Sequence, residues 1–353
     1  MWTTPPASRT PARLGLAIAM LAATGALAQP LIVYSAAQPN RDRWNYPFNG
    51  TPGTRTTAST FAALDVTGFD NLDAQFIVGF DTGGEIPTGL PLNQYRIVSA
   101  HLTASIANDV AIYDPSFDPV ASYFATGAPG AIADADAGRP CVVYATGYRN
   151  GFTLTTWQEP SAFGTGCSPL EPFDCRNAFA ALWDASGSVR NVSNYIREGV
   201  EATPYAVGQV PGQTPGTVLD FDTTMEFDLN VCDPGLRRFL QESLAAGRVH
   251  LTIASTQPAS GGVGGPTSDP NYPQWYTREN ILAQPPFDLT PTLEIVVMAG
   301  NVADWTGEGQ VNSSDFLAYL NDYATQAPAA DLNGDCLWNS SDFLEYLNDY
   351  ASF

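Results

Sequence analysis

Hydrophobic and polar residues alternate along several stretches of the chain between residues 29 and 299. The apolar members of these stretches are Phe76, Val78 and Phe80; Val98, Ala100, Leu102, Ala104 and Ile106; Met225, Phe227 and Leu229; Val249, Leu251 and Ile253; and Leu293, Ile295 and Val297. A period of two predicts strands with one face in a core and the other in water. Long segments rich in Pro and Gly separate them, which favours an antiparallel β-sandwich, a mainly β fold.

One segment of this region has the pattern of a helix. Asp233 can cap it and Pro234 suits its first position. The apolar stripe consists of Leu236, Phe239, Leu240 and Leu244. We expect this helix to cap one end of the sandwich.

The first 28 residues have the features of a signal peptide. Arg9 and Arg13 precede a short apolar run, and Ala26-Leu27-Ala28 fits a cleavage site. The chain is therefore expected to be exported, and its next domain is expected to span residues 29–299. The apolar run is shorter than the roughly 20 residues that cross a bilayer, so no membrane span is expected.

Export permits disulfides among the five cysteines. Cys167 and Cys175 bracket a short loop and are the first choice for a pair, and Cys141 with Cys232 is a weaker alternative. An odd count leaves one cysteine over, and spacing alone does not fix connectivity.

Part of the predicted sandwich resembles secreted bacterial DNRLRE-type domains. The resemblance rests on Phe80-Asp81, on Ile86-Pro87-Thr88-Gly89 and on the strand from Tyr95 to Thr103, followed by the helix and the closing strand. It implies a jelly-roll sandwich of secreted or surface proteins, which binds polysaccharide in some members. It leaves residues 107–216 unexplained.

The last 50 residues contain a duplicated unit. Residues 312–324 read NSSDFLAYLNDYA and residues 339–351 read NSSDFLEYLNDYA, at an offset of 27 residues. The first four residues of each copy are the last four positions of a twelve-residue loop. The oxygen-bearing positions of this loop match an EF-hand calcium loop. The predicted ligands are Asp304, Thr306, Glu308, Asn312 and Asp315 with the Gln310 carbonyl, and Asp331, Asn333, Asp335, Asn339 and Asp342 with the Leu337 carbonyl. Ca²⁺ is the expected cofactor.

Two positions depart from the EF-hand pattern. Position six is Gly309 in the first loop but Cys336 in the second, although the turn there favours glycine. Position twelve is Asp rather than Glu in both loops. We therefore expect the second site to be the weaker one.

Two calcium loops followed by helices, with no room for an entering helix before the first, resemble the dockerin domain over residues 301–353. The resemblance implies a cohesin-type partner, contacted through Ser313, Ser314, Ser340 and Ser341. The alternative is an intramolecular calcium clip that only stabilises the C-terminus.

The net charge of −21 disfavours nucleic acid as a partner. No nucleophile motif is present, and His101 and His250 are expected on the exposed faces of strands. Aromatic residues favour sugar binding because pyranose faces stack on rings. The candidates are Trp44, Tyr46, Trp157, Tyr272, Trp275 and Tyr276.

The leading hypothesis is a secreted, non-catalytic sandwich that binds carbohydrate or another surface polymer and is tethered by a dockerin-like tail. The alternatives are a polysaccharide-degrading hydrolase or lyase and a purely structural extracellular protein.

Overall fold

The computed structural model describes residues 31–64, 68–164, 175–259 and 271–352, which form a mainly β protein. The strands are β1 (Ile32–Ala36), β2 (Arg41–Asn45), β3 (Thr57–Ser59), β4 (Phe61–Ala62), β5 (Leu72–Asp81), β6 (Tyr95–Ser105), β7 (Cys141–Tyr148), β8 (Ala178–Trp183), β9 (Val189–Asn191), β10 (Ala206–Val207), β11 (Thr224–Asp228), β12 (Arg248–Ser255), β13 (Gln274–Tyr276) and β14 (Thr292–Ala299). The α-helices are α1 (Tyr195–Glu198), α2 (Pro234–Ala245), α3 (Ser313–Ala324) and α4 (Ser340–Ala351). The predicted signal peptide, residues 1–28, lies outside the described residues.

The strands form two main antiparallel sheets. The small sheet has the order β1-β14-β6-β11, and the large sheet has the order β2-β5-β12-β7-β8-β9. β4 and β10 pair with β5 and β7, while β3 and β13 form a separate ribbon. Every strand predicted from alternation is present, as β5, β6, β11, β12 and β14, although Ile106 and Leu229 lie one residue beyond the ends of β6 and β11.

The apolar faces of the two sheets share one core. Phe76 and Leu251 of the large sheet belong to the same buried cluster as Leu102, Phe227 and Ile295 of the small sheet. The predicted β-sandwich is confirmed, and its sheets are open rather than closed into a barrel.

Alternation predicted that the outer face of the large sheet is exposed to water, but this face is buried. Nine of the ten residues of β5 are buried, and so are seven of the eight in β12. Outward-facing Ile77 packs with Trp157 and Ala178, and outward-facing Tyr144 packs with Val192 and Tyr195. The described residues between 107 and 216, which no sequence pattern explained, therefore build part of the large sheet and cover its outer face.

Helix α2 caps the sandwich as expected. The Asp233 carboxylate accepts from the backbone N–H groups of Gly235 and Leu236, at 2.8 Å each. The four predicted apolar residues of the helix, Leu236, Phe239, Leu240 and Leu244, are buried in the main core.

The C-terminal tail has its own aromatic core. The rings of Tyr319 from α3 and Tyr346 from α4 stack with centroids 3.9 Å apart, and Trp305 meets both edge-on. Met298 at the end of β14 joins this cluster. No described helix separates β14 from the first loop, as the sequence predicted.

The cysteine pairing differs from the weaker prediction. Cys232 forms a disulfide with Cys336, whereas Cys141 is buried and free, so the pairing of Cys141 with Cys232 is wrong. The first-choice pair includes Cys167, which lies outside the described residues. Among the described residues, no helix is long and apolar enough to cross a membrane.

Candidate functional site

Each predicted calcium loop ends in a capping box that fixes its last ligand. The Asn312 side chain accepts from the Ser314 N–H, while Asp315 accepts from the Asn312 N–H at 2.8 Å. Asn339 and Asp342 repeat this arrangement at the start of α4. The carboxylates at position twelve are therefore buried and oriented toward the loop backbone.

The first loop is closed by hydrogen bonds among its predicted ligands. Asp304 accepts from the backbone N–H groups of Glu308 at 3.0 Å and Gly309 at 2.7 Å. Asp315 accepts from the backbone and hydroxyl of Thr306, at 2.8 Å each. Burial acts to raise the pKa of Asp315, but these hydrogen bonds outweigh it and lower the pKa. The Asn312 amide donates to Glu308, and Gln310 is exposed.

The second loop brings three carboxylates together. One oxygen from each of Asp331, Asp335 and Asp342 lies within 4.8 Å of the others. Asp331 Oδ1 is buried without a hydrogen-bond partner among the described residues, and burial raises the pKa of this side chain. An orphaned carboxylate oxygen beside two further carboxylates fits a hard divalent cation.

The other predicted ligands of the second loop are hydrogen-bonded within it. Asn333 donates its backbone N–H to Asp342 at 3.2 Å, and the Leu337 carbonyl accepts from the Asn339 amide at 3.1 Å. The carboxylates of the first loop form no comparable group within the described residues. The prediction that the second site is weaker stays a prediction.

Cys336 at position six has a structural reason. Its φ of +60° is in the left-handed region, as is that of Gly309 at +87° in the first loop. The side chain at position six carries the disulfide to Cys232, which immediately precedes the N-cap of α2. The second loop is thus covalently attached to the sandwich.

Two arginines of the sandwich also contact the tail. Arg237 of α2 donates to the Asn333 carbonyl, and its guanidinium occupies the space where a side chain at Gly334 would begin. Arg96 of β6 lies over the Trp305 ring at 4.5 Å. Burial lowers the pKa of Arg96 to about 10, against the opposing charge of Asp349.

The four serines predicted to contact a partner are all exposed, and they are Ser313, Ser314, Ser340 and Ser341. Leu317 and Leu344, which follow them one turn later in each copy, are 59% and 57% exposed. The duplication therefore presents two similar surfaces, each with a serine pair and a leucine.

The prediction that Trp157 and Trp275 bind sugar is wrong. Trp157 and Trp275 are completely buried, and their indole N–H groups donate to Asn177 and Thr60 at 3.0 Å each. Trp157 lies outside the described strands. Their rings belong to the core, where no sugar face can reach them. Tyr276 is half-buried and donates to Asp222.

Two other predicted aromatic residues, Trp44 and Tyr46, belong to a partly exposed row of rings that Phe48 and Phe69 continue. Trp44 stacks on Tyr46 with ring centroids 5.0 Å apart, Phe48 is tilted against Tyr46 at 5.2 Å, and Phe69 stacks on Phe48 at 5.8 Å. We call these four residues the aromatic strip. Phe48 is 41% exposed and the other three are half-buried. Tyr272 packs beside the strip through Phe61.

The two histidines have different environments. His101 is half-buried and contacts Asp228 at 2.7 Å. The prediction that His250 is exposed is wrong, because the outer face of β12 is covered. Burial, then Arg41 and Arg248, lower the pKa of His250 to about 3, so the ring is neutral at pH 7.

An acidic group in the sandwich escaped the sequence analysis. Asp42, Glu159 and Glu279 bring carboxylate oxygens within 4.8 Å of one another. Burial raises the pKa of Glu159 to about 7, against the opposing charge of Arg278. Because these residues are more than a hundred positions apart, no spacing in the sequence indicates the group.

Comparison with known proteins gave no identification. No family model matches the chain, and no match was found among curated proteins. The dockerin-like and DNRLRE-like interpretations therefore depend on the residues quoted above.

Proposed function

We propose that this chain is a secreted, modular calcium-binding protein whose duplicated C-terminal loops bind Ca²⁺ and fix the tail against a polymer-binding β-sandwich. The observation that carries the proposal is the convergence of Asp331, Asp335 and Asp342 around a buried oxygen without a partner. Three ionised carboxylates this close repel one another, and a divalent cation removes that repulsion.

The ligands proposed for calcium are the residues predicted from the repeat. Asp304, Thr306, Glu308, Asn312, Asp315 and the Gln310 carbonyl would hold one ion. Asp331, Asn333, Asp335, Asn339, Asp342 and the Leu337 carbonyl would hold the other. Bound calcium would supply positive charge to the loops and so stabilise the folded tail.

The contacts between tail and sandwich support the intramolecular clip over a freely tethered dockerin. The disulfide at Cys336, the Arg237 contact and the Arg96–Trp305 contact all join the two parts. A cohesin-type partner is the second candidate, favoured by the exposed serine pairs and by Leu317 and Leu344. Absence of binding to a panel of cohesin domains would exclude those cohesins as partners.

Calcium counting tests the first proposal. D304N/D331N removes the first ligand of each loop, so the intact chain should bind two fewer calcium ions in equilibrium dialysis. The charge-matched control D109N/D288N changes two exposed acids outside the loops and should leave calcium binding unchanged. Unchanged binding by D304N/D331N would show that the loops are not calcium sites.

The aromatic strip is the proposed surface for a polysaccharide. Rings in a row with one exposed end suit stacking against successive sugar faces, and each such contact is worth about 0.5–1.5 kcal/mol. A hydrolase or lyase needs carboxylates that the substrate can reach, whereas Asp42 and Glu159 are 1% and 5% exposed. Binding without catalysis is therefore better supported than catalysis at this group.

A glycan array followed by affinity measurements tests the strip. Phe48→Ala should weaken binding by about two- to tenfold, because one stacking contact is lost. Phe221→Ala removes an aromatic residue that is 55% exposed outside the strip, and it should have no effect. If no polysaccharide binds, the carbohydrate proposal fails and the structural extracellular protein becomes the better interpretation.

A further inference from the structure

The edge strand of the large sheet carries a buried acidic group that is separate from the C-terminal loops. Asp42 belongs to β2, Glu159 to the turn after Trp157, and Glu279 to the segment after β13. We call Asp42, Glu159 and Glu279 the edge-strand triad. Its three members come from segments far apart in the sequence, so the group exists only in the folded chain.

One arginine holds one oxygen of each carboxylate. The Arg278 backbone N–H donates to Asp42 Oδ2 at 2.7 Å, its Nε donates to Glu279 Oε1 at 3.0 Å, and its Nη2 donates to Glu159 Oε2. Arg278 therefore fixes the orientation of all three acids.

The second oxygen of each triad carboxylate gives independent evidence for a ligand. Asp42 Oδ1, Glu159 Oε1 and Glu279 Oε2 are buried and have no hydrogen-bond partner among the described residues. The residues Asp42 and Glu159 are more than nine-tenths buried. Buried carboxylate oxygens are normally paired, so three orphaned oxygens in one group indicate a missing ligand that accepts lone pairs.

The charge and the chemistry of the group define that ligand. When all three carboxylates are ionised, the one guanidinium that hydrogen-bonds to them leaves two negative charges, which one divalent cation balances. Neighbouring Arg43 interacts with the charge of Glu159, but its hydrogen bonds go to the carbonyl oxygens of Glu159 and Ser161 rather than to a carboxylate. Ligands that are all carboxylate oxygens select hard cations such as Ca²⁺.

We propose that the edge-strand triad is a third divalent-cation site, which binds calcium and fastens the edge strand β2 to the two segments beside it. Trp44 of the aromatic strip lies on the same strand, two residues from Asp42. The bound cation would therefore also hold the base of the strip in place.

A comparable group at Asp114, Asp118 and Asp136 makes a weaker case. Arg139 pairs with Asp118, and the Ser116 hydroxyl donates to both Asp114 and Asp136. Among the described residues, one buried oxygen of this group, Asp114 Oδ2, lacks a hydrogen-bond partner, against three in the edge-strand triad. Asp114 therefore provides a matched control for the test.

Equilibrium dialysis with calcium alone, on the intact D304N/D331N chain, separates this site from the loops. Glu159→Gln added to that background should reduce bound calcium by one ion per chain, whereas Asp114→Asn should not. If Glu159→Gln prevents folding, as judged by circular dichroism, Glu279→Gln provides the second test, because Glu279 is less buried.

Two outcomes would overturn the proposal: no loss of calcium with the triad variants, or an equal loss with Asp114→Asn. A triad that shares protons instead of a cation gives the first outcome. Failure of the loop proposal is distinguishable, because D304N/D331N would then bind as much calcium as the unmodified chain while Glu159→Gln still removed one ion.

Discussion

At the scale of single residues, Cys336 and His250 are explained by tertiary contacts that a local sequence pattern does not predict. Position six of an EF-hand loop favours glycine, and the presence of cysteine there suggested a weakened turn. In the structure the side chain is needed for the bond to Cys232. His250 lies on the polar side of an alternating strand, yet residues from another part of the chain cover it.

The buried His250 should make stability depend on pH. Its pKa is lowered to about 3 by burial and by the charges of Arg41 and Arg248, whereas an unfolded histidine has a pKa near 6.5. Between these values the unfolded chain binds the additional proton, so stability is lost as the pH falls below 6.5. The loss is about 1.4 kcal/mol for each pH unit in that window.

Urea unfolding of His250→Asn at pH 6.5, 5.5 and 4.5 checks this prediction. Because asparagine does not titrate, the variant should lose less stability per pH unit than the unmodified chain, by about 1.4 kcal/mol. The comparison of slopes removes the contribution of the carboxylates, which both proteins share. Identical slopes would mean that His250 is not buried and neutral.

At the scale of elements, the strands and α2 were predictable because their information is local. Alternation identified β5, β6, β11, β12 and β14, and Asp233 with Pro234 located the start of α2. The repeat located α3 and α4 and the acidic loops before them. These features depend on side-chain periodicity and capping, which adjacent residues determine.

The cover of the large sheet and the edge-strand triad were not predictable in this way. Strand β7, with seven of its eight residues buried, has no alternation to identify it. Burial of Ile77 depends on Trp157, and Asp42 meets Glu159 only through the folded edge. Such contacts follow from long-range packing, so one sequence does not contain a local signal for them.

At the scale of the whole molecule, the charge distribution matches the contacts between sandwich and tail. Residues 300–353 contain seven Asp, two Glu and no basic residue. The sandwich supplies Arg96 and Arg237 at the junction, and the negative charges of Asp349 and Asp331 act on them. The tail is therefore held by arginine contacts, by the disulfide and, in our proposal, by calcium between its own carboxylates.

Removing the disulfide should show how far the tail depends on the sandwich. The bond closes a segment of 104 residues, and loss of a disulfide typically costs about 2–5 kcal/mol. C232S/C336S should therefore lower the free energy of unfolding by that amount and weaken calcium binding in the second loop. C232S/C336G loses the same bond but restores glycine at a left-handed position, and should recover about 1 kcal/mol.

Chemical unfolding in calcium and in chelator, with calcium titrations of both variants, separates the two effects. The loss of stability that both variants share measures the contribution of the disulfide. The difference in stability between C232S/C336S and C232S/C336G measures the backbone cost of a non-glycine residue at position six. If C232S/C336S were as stable as the unmodified chain and bound calcium equally well, the attachment of the tail would contribute nothing. That result would favour an independently folded tail that recruits a partner, because the loops would then keep their calcium without support from the sandwich.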